Sequence, residues 1–116
     1  MRPDELGRSV DNLTSSAAEG SLIARDVARH RTKRTFVRAR SRELVETVDH
    51  EAEKLSDATA RESITKDKNI ALSLADQISA ALGQLQTSPD DGKVAAQVKR
   101  KLDDLTKQGD SLSKGL

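Results

Sequence analysis

Apolar residues recur at alternating intervals of four and three along the chain, and this spacing is the feature that most constrains its fold. In the first segment the series is unbroken, and its members are Leu6, Val10, Leu13, Ala17, Gly20, Ala24 and Val27. Such an alternation places one apolar stripe along a helix, as in coiled coils. Because proline occurs only at positions 3 and 89, nothing interrupts long helices.

Three further segments repeat this pattern. The second stripe consists of Val37, Ser41, Leu44, Val48, Ala52 and Leu55. The third consists of Ile64, Ala71, Leu74, Ile78, Ala81 and Leu85. The fourth consists of Val94, Val98, Leu102, Leu105, Gly109, Leu112 and Leu116. The pattern predicts helices over residues 3–30, 35–57, 60–86 and 89–114, in a single all-α domain spanning residues 1–116.

No single helix can bury its own apolar stripe, so the four helices must pack together. Short connections make consecutive helices antiparallel, and the predicted fold is an antiparallel up-down-up-down four-helix bundle. The centre of the predicted core is formed by Leu44, Val48, Leu74, Ile78, Leu102 and Leu105.

Local signals mark three of the helix starts. Pro3 precedes two acidic residues and suits the first turn of a helix. The segment 59–62 reads as a capping box, with Thr59 and Glu62 each satisfying a backbone N–H group. In segment 88–91, Ser88 reads as an N-cap and Pro89 as the first helical residue, followed by two acids.

The junction between the first two helices has no glycine or proline to mark it. Continuing the first stripe beyond Val27 would place Arg31, Arg34 and Arg38 in the core, where three guanidinium groups need partners. We therefore predict a turn around residues 31–35. The alternative is one continuous helix of about 40 residues or more, whose hairpins would be completed by dimerisation.

Composition narrows the class of protein further. Leu, Ile, Val and Phe make up 25 of the 116 residues, which together with a net charge of +1 favours a folded chain. The absence of cysteine excludes disulfides and thiolate metal sites. No apolar run is long enough for a membrane span. The start of the chain lacks the apolar core of a signal peptide, which slightly favours the cytoplasm, although a mature secreted chain would look the same.

Positive charge is concentrated in one window, and this is the main functional clue. Between Asp26 and Glu43 there is no acidic residue, and the basic residues there are Arg29, Arg31, Lys33, Arg34, Arg38, Arg40 and Arg42. Such a cluster can bind the phosphates of a nucleic acid, an anionic surface or an acidic protein. The simpler interpretation is a solvated turn with flanking helix ends.

One detail argues against the simpler interpretation. Arg38, Arg40 and Arg42 fall near the start of the second helix, where positive charge opposes the helix dipole. Glu43 and Glu46 lie three and four residues from Arg40 and Arg42 and offer partial compensation. With Phe36 as the only aromatic outside the two histidines, there is no stacking platform for single-stranded nucleic acid.

No residue set predicts catalysis, a metal or a cofactor. Glu43, Glu46, His50 and Glu53 recur along one helix face, but they lie beside the apolar stripe and indicate surface charge rather than a metal site. The chain has no glycine-rich phosphate loop and no nucleophilic triad. We therefore expect a non-enzymatic structural or protein-interaction module, monomeric or homodimeric, whose partner is a protein; nucleic-acid or anionic-surface binding through residues 29–42 is the alternative.

Overall fold

A computed structural model describes residues 1–58 and 62–116, without the side chains of residues 62 and 63. Over these residues the chain forms helices and no strand, which confirms the all-α prediction. The helices are α1 (Pro3–Ala28), α2 (Arg34–Asp57), α3 (Glu62–Thr87) and α4 (Gly92–Lys114). The predicted capping box depends on residues 59–61 and on the side chain of residue 62, and so lies outside the described residues.

The helices form an up-down-up-down bundle with extents of 46 × 22 × 16 Å. The closest packing is between α1 and α4 and between α2 and α3, and α1 also contacts α3 across the bundle. Since the direction alternates, the α1–α2 turn and the α3–α4 turn lie at the same end. The two chain termini, the end of α2 and the start of α3 lie at the opposite end.

The core is built from the predicted stripes. All six residues predicted for its centre are at most 4 % exposed, and the whole α1 stripe is buried. Gly20 lets α1 approach the fully buried Leu82 and Leu102 closely. The ends of the stripes are less buried than predicted, because Val94, Leu112 and Leu116 are only partly covered by the core.

The α2 stripe departs from the prediction at one position. Ala52 was expected in the core, but it is only partly buried, and the adjacent Glu51 is 7 % exposed. The Glu51 carboxylate accepts a hydrogen bond from Asn12 Nδ2 at 3.4 Å, and Lys54 Nζ lies 3.8 Å from its other oxygen. At this level of α2, Glu51 is therefore buried more deeply than Ala52.

A turn separates α1 from α2, as predicted, and the continuous-helix alternative is wrong for this structure. The Arg31 N–H donates to the Asp26 carbonyl at 2.8 Å, and the His30 N–H donates to the Val27 carbonyl at 3.0 Å. This pair of hydrogen bonds is the Schellman motif, whose left-handed residue is usually glycine. Here His30 takes that role with φ 55°. The helix therefore ends without glycine or proline.

The start of α4 corrects the prediction for segment 88–91. The N-cap is Asp91 and not Ser88, because Asp91 Oδ1 accepts the N–H groups of Lys93 at 3.0 Å and Val94 at 3.1 Å. The Ser88 N–H donates to the Gln84 carbonyl at 2.9 Å and so still belongs to the end of α3. The helix consequently begins at Gly92 rather than at Pro89.

Candidate functional site

Five of the seven residues in the predicted basic window lie at the same end of the bundle. Four lie in the α1–α2 turn or at the first residue of α2, and the fifth lies about one helical turn further on. We call this cluster the basic end; its members are Arg29, Arg31, Lys33, Arg34 and Arg38. All five are exposed, and within the described residues none of them forms a salt bridge or a side-chain hydrogen bond.

Arg40 belongs to a different structure, an ion-paired link between α1 and α2. It donates from Nη2 to Glu19 Oε1 at 2.7 Å, from Nε to the other Glu19 oxygen, and from Nη1 to Glu43 Oε2 at 2.6 Å. The hydrogen bond with Glu19, and to a lesser extent that with Glu43, raises the pKa of Arg40 above its ordinary value. A guanidinium held in this way links α1 to α2.

Arg42 is also compensated within its own helix. Its Nε lies 3.4 Å from Glu46 Oε1, and both side chains are largely exposed. The predicted partial compensation of Arg40 and Arg42 by Glu43 and Glu46 is therefore confirmed. Arg40 and Arg42 therefore have carboxylate partners within the chain, whereas the five residues of the basic end have none among the described residues.

The first turn of α2 adds to the positive potential at the basic end. Its N-cap Lys33 makes no side-chain capping hydrogen bond, and the first turn contains no acidic residue. The first backbone hydrogen bond runs from the Val37 N–H to the Lys33 carbonyl at 3.1 Å. The N–H groups before it carry the positive end of the helix dipole. The helix start and the basic side chains therefore act with the same sign.

Phe36 lies at the edge of this positive region. Phe36 is 54 % exposed, although its neighbour Val37 is fully buried. The ring borders a shallow depression of about 540 Å³ that is also lined by His30, Arg31, Thr32 and Lys33. The basic end therefore offers an apolar surface beside its charges.

The α3–α4 turn supplies the neighbouring surface of the same bundle end. Asp90, Asp91 and Gly92 line a second depression of about 740 Å³, and His30 is common to both depressions. The His30 ring packs near Gly92, 3.4 Å from the place where a Cβ atom would sit. His30 thus borders both a depression lined by basic residues and one lined by Asp90, Asp91 and Lys93.

The other charged stripe of α2 lies on the surface. Glu43, Glu46, His50 and Glu53 are all exposed. Over residues 1–58 and 62–116, no three His, Cys, Asp or Glu side chains are arranged to hold a metal ion. Within the same ranges, no helix combines the length and apolar character needed to cross a bilayer.

Sequence reasoning missed three residues that shape this region. Glu19 pairs with Arg40, but it lies in a different helix and no local spacing connects the two residues. The exposure of Phe36 could have been inferred from its place beside Val37, which occupies the stripe. The burial of Glu51 had no signal, because Ala52 fitted the same apolar series better.

Comparisons of this chain with known proteins found no match. Neither the family models, nor the curated proteins, nor the solved structures include a match to this chain.

Proposed function

We propose that this protein is a non-enzymatic protein-interaction module that uses the basic end to bind an acidic partner protein. The observation that carries the proposal is the presence of five exposed, unpaired basic side chains beside one half-exposed aromatic ring. Arginine and aromatic residues dominate the energetics of protein interfaces. The charges speed and orient the encounter with an oppositely charged surface, and the ring adds apolar contact.

The contrast with Arg40 and Arg42 supports this proposal. Elsewhere on α2 the arginines have carboxylate partners, from Glu43, Glu46 and the more distant Glu19. At the basic end, Lys33 and Arg34 lie at the start of α2, where the helix dipole makes positive charge unfavourable by about 0.3–1 kcal/mol each. An acidic partner relieves this repulsion. An isolated protein gains nothing from it.

Nucleic-acid binding is the second candidate, and the convergence of the same five charges on one end favours it. One feature weighs against it: a lone aromatic gives no continuous stacking surface for the bases of a single strand.

Binding of a fluorescent acidic peptide and of a DNA duplex, measured by anisotropy at about 0.15 M salt, tests the proposal. The key variant replaces Arg31, Lys33, Arg34 and Arg38 with Gln. A control variant replaces four exposed basic residues of the other half of the bundle with Gln: Arg8, Lys66, Lys107 and Lys114. Circular dichroism establishes that both variants keep their helices. We expect the peptide to bind the wild type and the control variant but not the key variant.

Other outcomes overturn the proposal. Equal peptide affinity for the key and control variants would mean that the basic end is not the binding surface. Micromolar duplex binding that the key variant loses would support the second candidate instead. In that case four phosphate contacts would give a slope of log K against log salt of about −3.6. No binding to either probe would reject both candidates.

A further inference from the structure

Phe36 is exposed in a setting that differs from the other exposed apolar residues. Among the described residues, the large apolar side chains that are exposed are Leu22, Phe36 and Ile70. Leu22 borders a depression where Asp103 is hydrogen-bonded by Ser21 and paired with Lys99 at 2.6 Å. Phe36 borders a depression whose charged members, Arg31 and Lys33, have no partner among the described residues.

The geometry of α2 keeps the Phe36 ring out of the core. Consecutive helical residues point about 100° apart, and Val37 already faces the bundle interior. The ring therefore lies on the flank of α2, where it covers part of the depression and leaves 54 % of its surface to solvent. A single exposed apolar residue is common on proteins. What distinguishes this one is that it stands within a cluster of like charges.

We infer that the partner segment is a short acidic stretch with one large apolar side chain, which packs against Phe36 while its carboxylates pair with the basic end. The inference rests on the proposed function and names the class of partner. Exposed ion pairs contribute little each and lack directional selectivity. An apolar side chain on the ring would fix the register of the acidic stretch and exclude water from the nearest pairs.

Charge complementarity favours an anionic occupant over a second copy of the chain. A second copy of the chain would bring two identical basic ends together, and like charges oppose that contact. An anionic bilayer and a nucleic acid satisfy the charges but do not require the ring in a fixed position. They are therefore treated as outcomes of the test.

The test uses the full chain and two synthetic peptides of equal length and charge. One peptide consists of Asp, Glu and Ser with a single central Leu, and the other has Ser at that place. Protein variants are Phe36→Ala and the control Leu22→Ala, which removes an equally exposed apolar side chain. Affinity is measured by anisotropy. Binding to DNA duplex and to vesicles of anionic lipid is measured in parallel.

A second readout comes from the composition of the chain. It contains no Trp or Tyr and a single Phe, so the phenyl proton signals in an NMR spectrum report on Phe36 alone. We expect these signals to shift with the Leu peptide and to show cross-relaxation with the Leu methyl groups. The Ser peptide should leave them nearly unchanged.

We expect the Leu peptide to bind about tenfold more tightly than the Ser peptide, the ratio for half-burying one leucine side chain. Phe36→Ala should abolish the ratio, and Leu22→Ala should leave it unchanged. Equal affinities of the two peptides for the wild type would overturn the inference but keep the proposed function. Absence of binding by both peptides would reject the proposed function itself. A preference for vesicles or duplex that depends on Phe36 would assign the ring to that ligand and overturn the inference.

Discussion

The close approach of helices at Gly20 predicts opposite effects for the same substitution at two glycines. A Cβ atom at Gly20 would overlap Leu82 Cδ2 and lie 3.0 Å from Leu102 Cδ1. At Gly83, which also lies inside a helix, a Cβ atom would meet nothing within 4 Å. The pair Gly20→Ala and Gly83→Ala therefore separates packing from helix propensity.

The magnitudes follow from two competing effects. Gly→Ala inside a helix stabilises by about 1 kcal/mol in both variants. At Gly20 the extra methyl group must displace two leucines that are fully buried, and overpacking costs about 1–3 kcal/mol. We expect Gly20→Ala to destabilise by about 1 kcal/mol and Gly83→Ala to stabilise by about 1 kcal/mol. Changes in the unfolded chain largely cancel in the comparison.

Thermal unfolding followed by circular dichroism measures the difference. About 2 kcal/mol between the variants corresponds to a separation of about 8 °C in Tm for a chain of this size. Urea unfolding gives the same difference at constant temperature. If both variants raised Tm equally, the space at Gly20 would be larger than the structure indicates and the packing argument would be wrong.

Two further predictions concern the core and the response to acid. Leu105→Ala should lower the free energy of unfolding by about 2–4 kcal/mol in urea titrations, because Leu105 is fully buried, and a loss below about 0.5 kcal/mol would contradict that burial. The hydrogen bond with Lys99, and to a lesser extent that with Ser21, holds the pKa of Asp103 below its usual value. The stability that the ionised Asp103 contributes is therefore fully present above about pH 4, the pKa of an unfolded Asp. It is lost as the pH falls through the lower pKa of the folded protein. For a side chain this exposed, the stability difference between wild type and Asp103→Asn should be at most about 1 kcal/mol. This difference should shrink in acid. A difference that grew in acid would refute the lowered pKa of Asp103.

The positions of the helices were predictable because each helix must bury one face, and this places apolar residues at intervals of three and four along the whole chain. The α1 stripe from Leu6 to Val27 could be read directly, and the arginines that would follow it showed where the helix had to stop. The way in which the helix ends could not be predicted from the sequence. A left-handed His30 is intrinsically unfavourable by about 1–2 kcal/mol, and the Schellman hydrogen bonds and the neighbouring Gly92 become apparent only in three dimensions.

The start of α4 shows a different limit. Ser88 followed by Pro89 and Asp91 followed by Gly92 are both plausible helix starts, and local sequence preferences do not choose between them. The choice is made by Ser88, whose N–H continues the hydrogen bonding of α3. Similarly, the basic window was evident from the sequence, but its division into free and paired arginines depends on Glu19 in another helix.

The even number of helices has a practical meaning for the orientation of the protein. Helix α1 starts at Pro3 and α4 ends at Lys114, both at the end of the bundle that is remote from the α1–α2 turn. A tether, surface linker or fluorescent tag joined at either terminus would thus leave the basic end exposed at the far end of a bundle 46 Å long. For immobilised binding experiments, attachment through a terminus presents the basic end to solution, whereas coupling through lysine side chains would modify Lys33 within the basic end.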